Sequence, residues 1–359
     1  MAKELSYSQQ RALALIKRTR EILSELPSMC TDFIRAIEPT TQPLTRYVYC
    51  CDLKLFFSFL LKEIPAFADK SIPSLTPSDI ALITSKDINI YLEYLSLYIN
   101  SDDEAVTNAE SGRMRKLASL RTFYKYLFMN ELISTDASRL VSMPKRHEKP
   151  ILRMEIDEVA RMLDVVESGD GLSSRQQKYN EATKIRDLAI LSMFLGTGIR
   201  VSELVGIDIS DVDFNINGFT VTRKGGNQAV LYFPDEVADA LKDYLNIRNE
   251  IEALPGHENA LFLSLQKKRI GVRTIENMVK KYATIAAPLK KRLSPHKLRS
   301  TFGTNLYQET GDIYLVADVL GHADVNTTRR HYAAMLDDRR RMAARSVKLR
   351  DDGTEEDSE

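Results

Sequence analysis

Val212-Asp213-Phe214-Asn215-Ile216-Asn217-Gly218-Phe219-Thr220-Val221-Thr222-Arg223-Lys224-Gly225-Gly226-Asn227-Gln228-Ala229-Val230-Leu231-Tyr232-Phe233 is the passage where this chain changes pattern. Three short β-type runs, 212–215, 219–223 and 230–233, are separated by Asn217-Gly218 and by Gly225-Gly226-Asn227. Asn-Gly and Gly-Gly pairs supply the positive φ angles that tight antiparallel turns require. The passage therefore predicts a small antiparallel sheet. Elsewhere the apolar residues recur at helical spacing, so this passage decides the class: mainly α with a small antiparallel β-sheet.

Helices flank the sheet. Residues 154–163 put Val159, Met162 and Leu163 on an apolar side, and 185–195 read as a second, more buried helix. Helical patterning resumes at Asp235 and continues to the end. The first part of the chain predicts helices over 47–61, 85–98 and 112–132, as in an all-helical bundle. Ile88, Ile90, Tyr91, Leu92, Tyr94 and Leu95 are the apolar positions of the second. Between the two parts, Met143-Pro144-Lys145-Arg146-His147-Glu148-Lys149-Pro150 is charged, carries two prolines and has no apolar period, which reads as a linker. The expected organisation is a helical N-terminal domain over 1–142, a linker over 143–152, an α+β domain over 153–350 and a tail over 351–359. A length of 359 residues accommodates two such domains.

Composition is that of a globular protein, with 43% hydrophobic residues. The apolar run Leu55-Phe56-Phe57-Ser58-Phe59-Leu60-Leu61 is too short to span a bilayer and reads as core helix. No secretory signal opens the chain, and a cytoplasmic setting without membrane insertion is expected. Cys30, Cys50 and Cys51 match neither a disulfide framework nor a metal-site spacing. The formal net charge is zero, but six of the last nine residues are acidic, and the rest of the chain carries net +6. The distribution of charge, more than its sum, governs how a surface meets a charged partner. The tail reads as a solvated, disordered end.

The chemistry-bearing residues lie on either side of the β passage. Arg200 follows Thr197-Gly198-Ile199, and Val201-Ser202-Glu203-Leu204 reads as a new helix start whose N–H groups favour an anion. A guanidinium there can clamp a phosphate through two donors, and Glu203, three residues on, can orient it. Lys224 ends a β run before a Gly-Gly-Asn turn, where an ammonium can reach a site and donate a proton. In Ser294-Pro295-His296-Lys297-Leu298-Arg299, Ser294 reads as an N-cap and Pro295 as the first helical residue. His296 and Arg299 then share one face. His322 follows Leu320-Gly321, with the glycine as a helix C-cap, and Tyr332 lies on a further helix opened by Asn326-Thr327-Thr328. Each residue alone has an ordinary surface or core role. Of five histidines, however, three lie between positions 296 and 331, close to Arg299 and Tyr332. Together these residue types can hold a phosphodiester, attack it with a phenol and protonate the oxygen that leaves.

In this ordered set the chain resembles the tyrosine recombinase (phage integrase) family, within it the Xer type, and most nearly the single-recombinase, XerS-like form of low-GC Gram-positive bacteria. The likeness is weak in the N-terminal half and strong over 185–335. The family's active-site order of arginine, lysine, histidine, arginine, histidine and tyrosine falls on Arg200, Lys224, His296, Arg299, His322 and Tyr332. Two positions depart from the usual pattern. Ser300 follows the second arginine where many relatives carry histidine. One extra residue separates His322 from Tyr332, and His331 stands beside the tyrosine. An extra helical residue rotates a side chain by about 100°, so the loop over 324–327 is expected to absorb it.

The resemblance implies an all-helical core-binding domain followed by a catalytic domain that cleaves and rejoins DNA through a 3′-phosphotyrosyl intermediate. Arg200 and Arg299 would grip the non-bridging oxygens and stabilise the pentacoordinate transition state. Tyr332 would attack, His296 accept its proton, His322 bond a non-bridging oxygen and Lys224 protonate the departing 5′ oxygen. No cofactor and no metal is expected, since the arginines supply the charge and the sequence has neither a P-loop nor a paired-carboxylate cluster. The cations Arg113, Arg115, Lys116, Arg121 and Lys125 interleave with Phe123, Tyr124 and Tyr126, which predicts a basic helical face on double-stranded DNA. The resemblance further implies a C-shaped grip on the duplex and a homo-tetramer on two recombination sites. The helix after Tyr332, with Met342-Ala343-Ala344, would pack on a neighbour. An accessory cell-division or element-encoded protein is a further expected partner.

Chromosome dimer resolution is the expected role. The alternatives are a mobile-element integrase, a type IB topoisomerase and a non-catalytic DNA-binding protein. Strand exchange between two marked duplexes separates recombinase from topoisomerase, and trapping on a suicide substrate separates both from a mere binder.

Overall fold

The computed structural model describes residues 6–99, 103–144, 152–223, 226–290, 293–322 and 324–325. Two compact units make up the chain, Met1–Lys149 and Pro150–Glu359. The first comprises α1 (Tyr7–Leu23), α2 (Ser28–Ala36), α3 (Pro43–Glu63), α4 (Pro77–Ala81), α5 (Ser85–Tyr94), strands β1 (Tyr98–Ile99) and β2 (Ala105–Val106), and α6 (Glu110–Met129). α3 is its centre. Phe56, Phe57, Phe59 and Leu60 from the short apolar run are all buried and pack with Phe33, Tyr91 and Phe123. Edge-to-face contacts such as Phe56–Tyr91 and Phe33–Phe123, with centroids 5.0 and 5.3 Å apart, orient these rings. Cys30 and Cys50 lie within this core, and burial pushes the Cys50 thiol up to about 12.

The helix expected over 85–98 is shorter than its apolar period suggests. It stops at Tyr94, and Tyr98 and Ile99 pair antiparallel with Val106 and Ala105. β-propensity of Tyr and Ile prevails there once a pairing partner is at hand.

The second unit runs α7 (Ile156–Ser168), α8 (Ser174–Thr197), α9 (Val201–Leu204), β3 (Val212–Asp213), β4 (Gly218–Thr222), β5 (Gln228–Tyr232), α10 (Asp235–Arg248), α11 (Val272–Ala286), α12 (Pro295–Thr310) and α13 (Ile313–Val319). The β passage folds into a three-stranded antiparallel sheet in the order β3-β4-β5, with Phe219 facing Val212 on one side and Leu231 on the other. Asn217 takes a positive φ of 47° at the first turn.

α8 is the pillar of this unit and packs against α7, α10 and α12. It begins well before the apolar stretch at 185–195. Ser173 caps it, and Gln176 answers in a capping box. Its first turns are polar, so apolar periodicity alone missed them. A buried polar cluster ties α8 to its neighbours. The Tyr282 hydroxyl lies 2.6 Å from Asn180 Oδ1 and 2.9 Å from Asp187 Oδ2. Arg186 Nη2 and Thr183 Oγ1 donate to the same aspartate at 2.7 and 3.0 Å, and Asn180 donates to the Val166 carbonyl of α7. Asp187 is 2% exposed, so these donors are what keep its charge inside. Among the described residues no helix is long and apolar enough to cross a membrane.

Candidate active site

Residues 197–200 are built for a sharp reversal. Gly198 closes α8 in the left-handed conformation, φ 62°, and a Cβ there would meet Phe302 at 2.4 Å. The chain then enters α9 with Arg200 as its N-cap. Glu203 sits one turn on and is 7% exposed. Its carboxylate accepts from Arg200 twice, from the backbone N–H at 3.1 Å and from Nη1 at 2.7 Å. α9 spans only four residues. The guanidinium, more than any helix-end dipole, therefore carries the positive charge at this point.

Arg299 comes from the second turn of α12. Ser294 precedes that helix and Pro295 opens it, with fixed φ suited to the first position. Thr301 of the same helix accepts from the Met154 N–H at 2.9 Å and holds α12 to the start of the unit. Arg299 is 5% exposed. Its Nη1 donates to the Gly198 carbonyl and its Nη2 to the Leu320 carbonyl.

The third part is the corner after α13. Val316 and Leu320 pack with Tyr307, Phe302 and Ile313 in a small core between α12 and α13. Gly321 then turns left-handed, φ 57°, and the His322 N–H returns to the Ala317 carbonyl at 2.9 Å. This is the glycine C-cap that the sequence signals. The corner's carbonyls face the arginines. Arg200 Nη2 donates to Leu320 O at 3.2 Å and to Gly321 O at 2.9 Å. The two arginines, far apart in sequence, thus meet on one carbonyl two residues before His322. His296 is exposed at the start of α12, on the helix that also carries Arg299. Ser300 donates to the His296 carbonyl at 3.1 Å. Arg200, Glu203, Arg299 and the His322 corner are brought together. Lys224 and Tyr332 lie outside the described residues, as do His331, the helix expected after Tyr332 and the acidic tail. Of the loop over 324–327, only Asp324 and Val325 are described.

One residue was not singled out from the sequence. Arg223, next to Lys224, sends Nη2 to the Val319 carbonyl at 3.2 Å, and its guanidinium lies against Gly321. Nothing in local sequence marks it, because the contact joins a strand end to a helix end nearly a hundred residues away.

In the N-terminal unit, α6 does not present its cations as the continuous solvent face that its sequence suggests. Lys116 is buried and donates to Asn108 Oδ1 at 2.9 Å; burial holds its ammonium below the usual lysine range. Arg121 Nε donates to the Ser138 carbonyl at 3.2 Å, and its Nη2 to Val141. Arg115 is paired with the buried Asp52 of α3, which also accepts from Ser119 at 2.7 Å. The reason is packing. α6 lies on α3, and these cations neutralise Asp52 or satisfy loop carbonyls that would otherwise lack donors. Arg113 Nη1 donates to Ser96 Oγ at 3.1 Å, and Lys125 is exposed.

Known proteins share this architecture. The Phage integrase family model matches residues 153–339. The tyrosine recombinase XerC of Caldanaerobacter subterraneus subsp. tengcongensis is 35% identical over 292 residues, covering 80% of this chain and 77% of that protein. The tyrosine recombinase XerS of Streptococcus thermophilus is 30% identical over 340 residues, covering 88% of this chain and 94% of that protein. Among solved structures, XerH site-specific recombinase bound to palindromic difH substrate aligns with a TM-score of 0.61 at 18% identity, over 85% of this chain and 80% of that one. The Tn1549 transposon integrase in complex with circular intermediate DNA aligns with a TM-score of 0.61 at 18% identity, over 88% and 99%. These two likenesses show the fold. The family match covers more than half of the chain, and the sequence relatives are covered over most of their length: the chain belongs to the phage integrase family, with the Xer-type tyrosine recombinases, enzymes of site-specific DNA strand cleavage and rejoining.

Proposed function

We propose that the chain cleaves and rejoins double-stranded DNA through a 3′-phosphotyrosyl link to Tyr332, with Arg200 and Arg299 as the phosphate clamp. The observation that carries this reading is the convergence of both guanidiniums on the Leu320 carbonyl, beside Gly321 and His322. Two planar forks held by carbonyls and by Glu203 are oriented before substrate arrives. Preorganised charge of this kind stabilises a pentacoordinate phosphorane without reorganisation at the moment of reaction. His322 would donate to a non-bridging oxygen. His296, exposed one turn before Arg299, would take the phenol's proton, and Lys224 would protonate the 5′ oxygen. The phosphodiester energy is conserved in the tyrosyl ester, so rejoining is the same step reversed.

Tyr332→Phe tests the nucleophile. The variant is expected to bind its DNA with unchanged affinity and to form no covalent adduct on a nicked suicide substrate, read on a denaturing gel. A surviving adduct would assign the attack to another residue.

The solved relatives XerH and Tn1549 integrase are described in complex with DNA, which supports duplex DNA as the partner here. In the N-terminal unit Lys125, with Arg113 and the half-exposed Arg115, would contact phosphates; Lys116 and Arg121 would serve from behind, by holding α6 in place. The proposal includes assembly as a homo-tetramer on two sites, chromosome dimer resolution and action in the cytoplasm, and the likeness to Xer recombinases supports it. Selection of the bound sequence from random duplexes, followed by exchange between two marked copies, tests the role.

A further inference from the structure

Arg223 joins two parts of the site that no stretch of sequence connects. Its backbone belongs to the β4–β5 hairpin: its N–H donates to Asn227 O at 2.8 Å, and its carbonyl accepts from the Gly226 N–H at 3.1 Å. These two bonds tie Arg223, the residue before Lys224 in the sequence, to Gly226 and Asn227 across the turn. Its side chain belongs to the other side of the site. Nη2 donates to the Val319 carbonyl at 3.2 Å, at the C-terminal end of α13. A cation there also complements the exposed carbonyls of a helix end.

The fit against Gly321 is close. A Cβ at that glycine would lie 2.3 Å from Arg223 Nη1, 2.5 Å from Cζ and 2.9 Å from Nε. The guanidinium therefore occupies the space that any other residue at position 321 would fill. Its Nε is buried and finds no hydrogen-bond partner among the described residues. Three arginines thus hold three consecutive carbonyls: Arg223 takes Val319, Arg200 and Arg299 take Leu320, and Arg200 also takes Gly321.

We propose that Arg223 is a positioning residue that clasps the Gly321 corner and thereby fixes the Lys224 hairpin relative to His322. Lys224 directly follows the residue on one side of the clasp, and His322 directly follows the residue on the other. The contact sets the separation between the group that protonates the leaving oxygen and the group that binds a non-bridging oxygen. The inference rests on the acid role proposed for Lys224. Displacement of a catalytic group by about 1 Å can cost on the order of a hundredfold in rate.

The test compares Arg223→Ala with Lys224→Ala in single-turnover cleavage of two duplexes, one with the ordinary 5′ bridging oxygen and one with sulfur there. Sulfur leaves without needing a proton, so a defect in proton delivery vanishes on it. Arg223→Ala is expected to cleave the oxygen substrate about ten- to a hundredfold more slowly, to recover to within about threefold of wild type on sulfur, and to bind both duplexes normally. An equal loss on both substrates, or no loss on either, would overturn the clasp. Recovery of Arg223→Ala without recovery of Lys224→Ala would instead remove the lysine from the acid role, and with it the clasp as the device that positions that acid. Gly321→Ala supplies a second measurement. It is expected to slow cleavage far more in the wild-type background than in Arg223→Ala, where the colliding guanidinium is gone. Equal losses in the two backgrounds would also overturn the proposal.

Discussion

At the scale of single residues, the site is defined by what its arginines touch. Arg299 is nearly fully buried, and a buried cation requires compensating acceptors. Gly198 O and Leu320 O provide them. Arg200 is more open, with its side chain 34% exposed, and depends on Glu203 for a charged partner. Glu203→Gln keeps the shape and removes the charge. A charge-assisted hydrogen bond is worth about 1–1.5 kcal/mol more than a neutral one, or roughly tenfold in rate. Single-turnover cleavage should therefore slow about tenfold, with DNA affinity little changed. A variant as fast as wild type would show that the carbonyls at 320 and 321 suffice to aim Arg200.

At the scale of elements, two polar clusters hold helices in place. Asp187 gathers Arg186, Thr183 and Tyr282 and binds α8 to α11. Burial, followed by the charge of Asp187 and its hydrogen bond, pushes the Tyr282 phenol well above its usual range. Asp187→Ala strands Arg186 and also Lys281, whose Nζ lies 3.8 Å from the same carboxylate, without their counter-charge, and is expected to cost about 3–5 kcal/mol in urea unfolding. A loss under about 1 kcal/mol would mean that the cluster relaxes around water. In the N-terminal unit the Asp79 carboxyl is held below its usual range. The hydrogen bond from Lys70 is the main cause; those from the Thr76 N–H and hydroxyl, both at 2.9 Å, add to it, while burial opposes it. A carboxyl lowered on folding contributes stability above its unfolded value, near 3.9. That contribution is lost as pH falls through the lower folded value. Asp79→Asn should therefore lower the urea midpoint at pH 7 and leave it closer to wild type at pH values below the folded one. An equal deficit at both extremes would place the effect in packing rather than charge.

At the scale of the whole molecule, a formal net charge of zero coexists with an acidic last stretch and a more basic remainder. Binding to duplex DNA should weaken at least tenfold between 50 and 200 mM salt, as counterions displaced from the phosphates are released. Fluorescence anisotropy with a labelled duplex measures it, and a flat response would count against phosphate contact by the basic surfaces. The two units each close their own hydrophobic core. The division of labour follows from that: one unit packs aromatic rings around α3, and the other arranges three arginines around a single helix corner.

Local chemistry was legible in the sequence because it acts over a few residues. Ser294-Pro295 marks the start of α12, Gly321 marks the end of α13, and the Asn-Gly and Gly-Gly turns mark the strands, each through a φ angle or an unpaired backbone group. The ordered arginine and histidine pattern likewise pointed to the family. What the sequence alone could not give is direction across space. The polar opening of α8 carries no apolar period, so its true start was hidden. The cations of α6 alternate with aromatics as a solvent face would, yet Asp52, Asn108 and the carbonyls of Ser138 and Val141 draw Arg115, Lys116 and Arg121 onto the protein. Arg223 gains its place only because β4 ends beside the corner after α13. Sequence by itself determined which residues could bend, cap and carry charge; the tertiary structure decided which of those charges face one another, because that depends on contacts between elements distant in the chain.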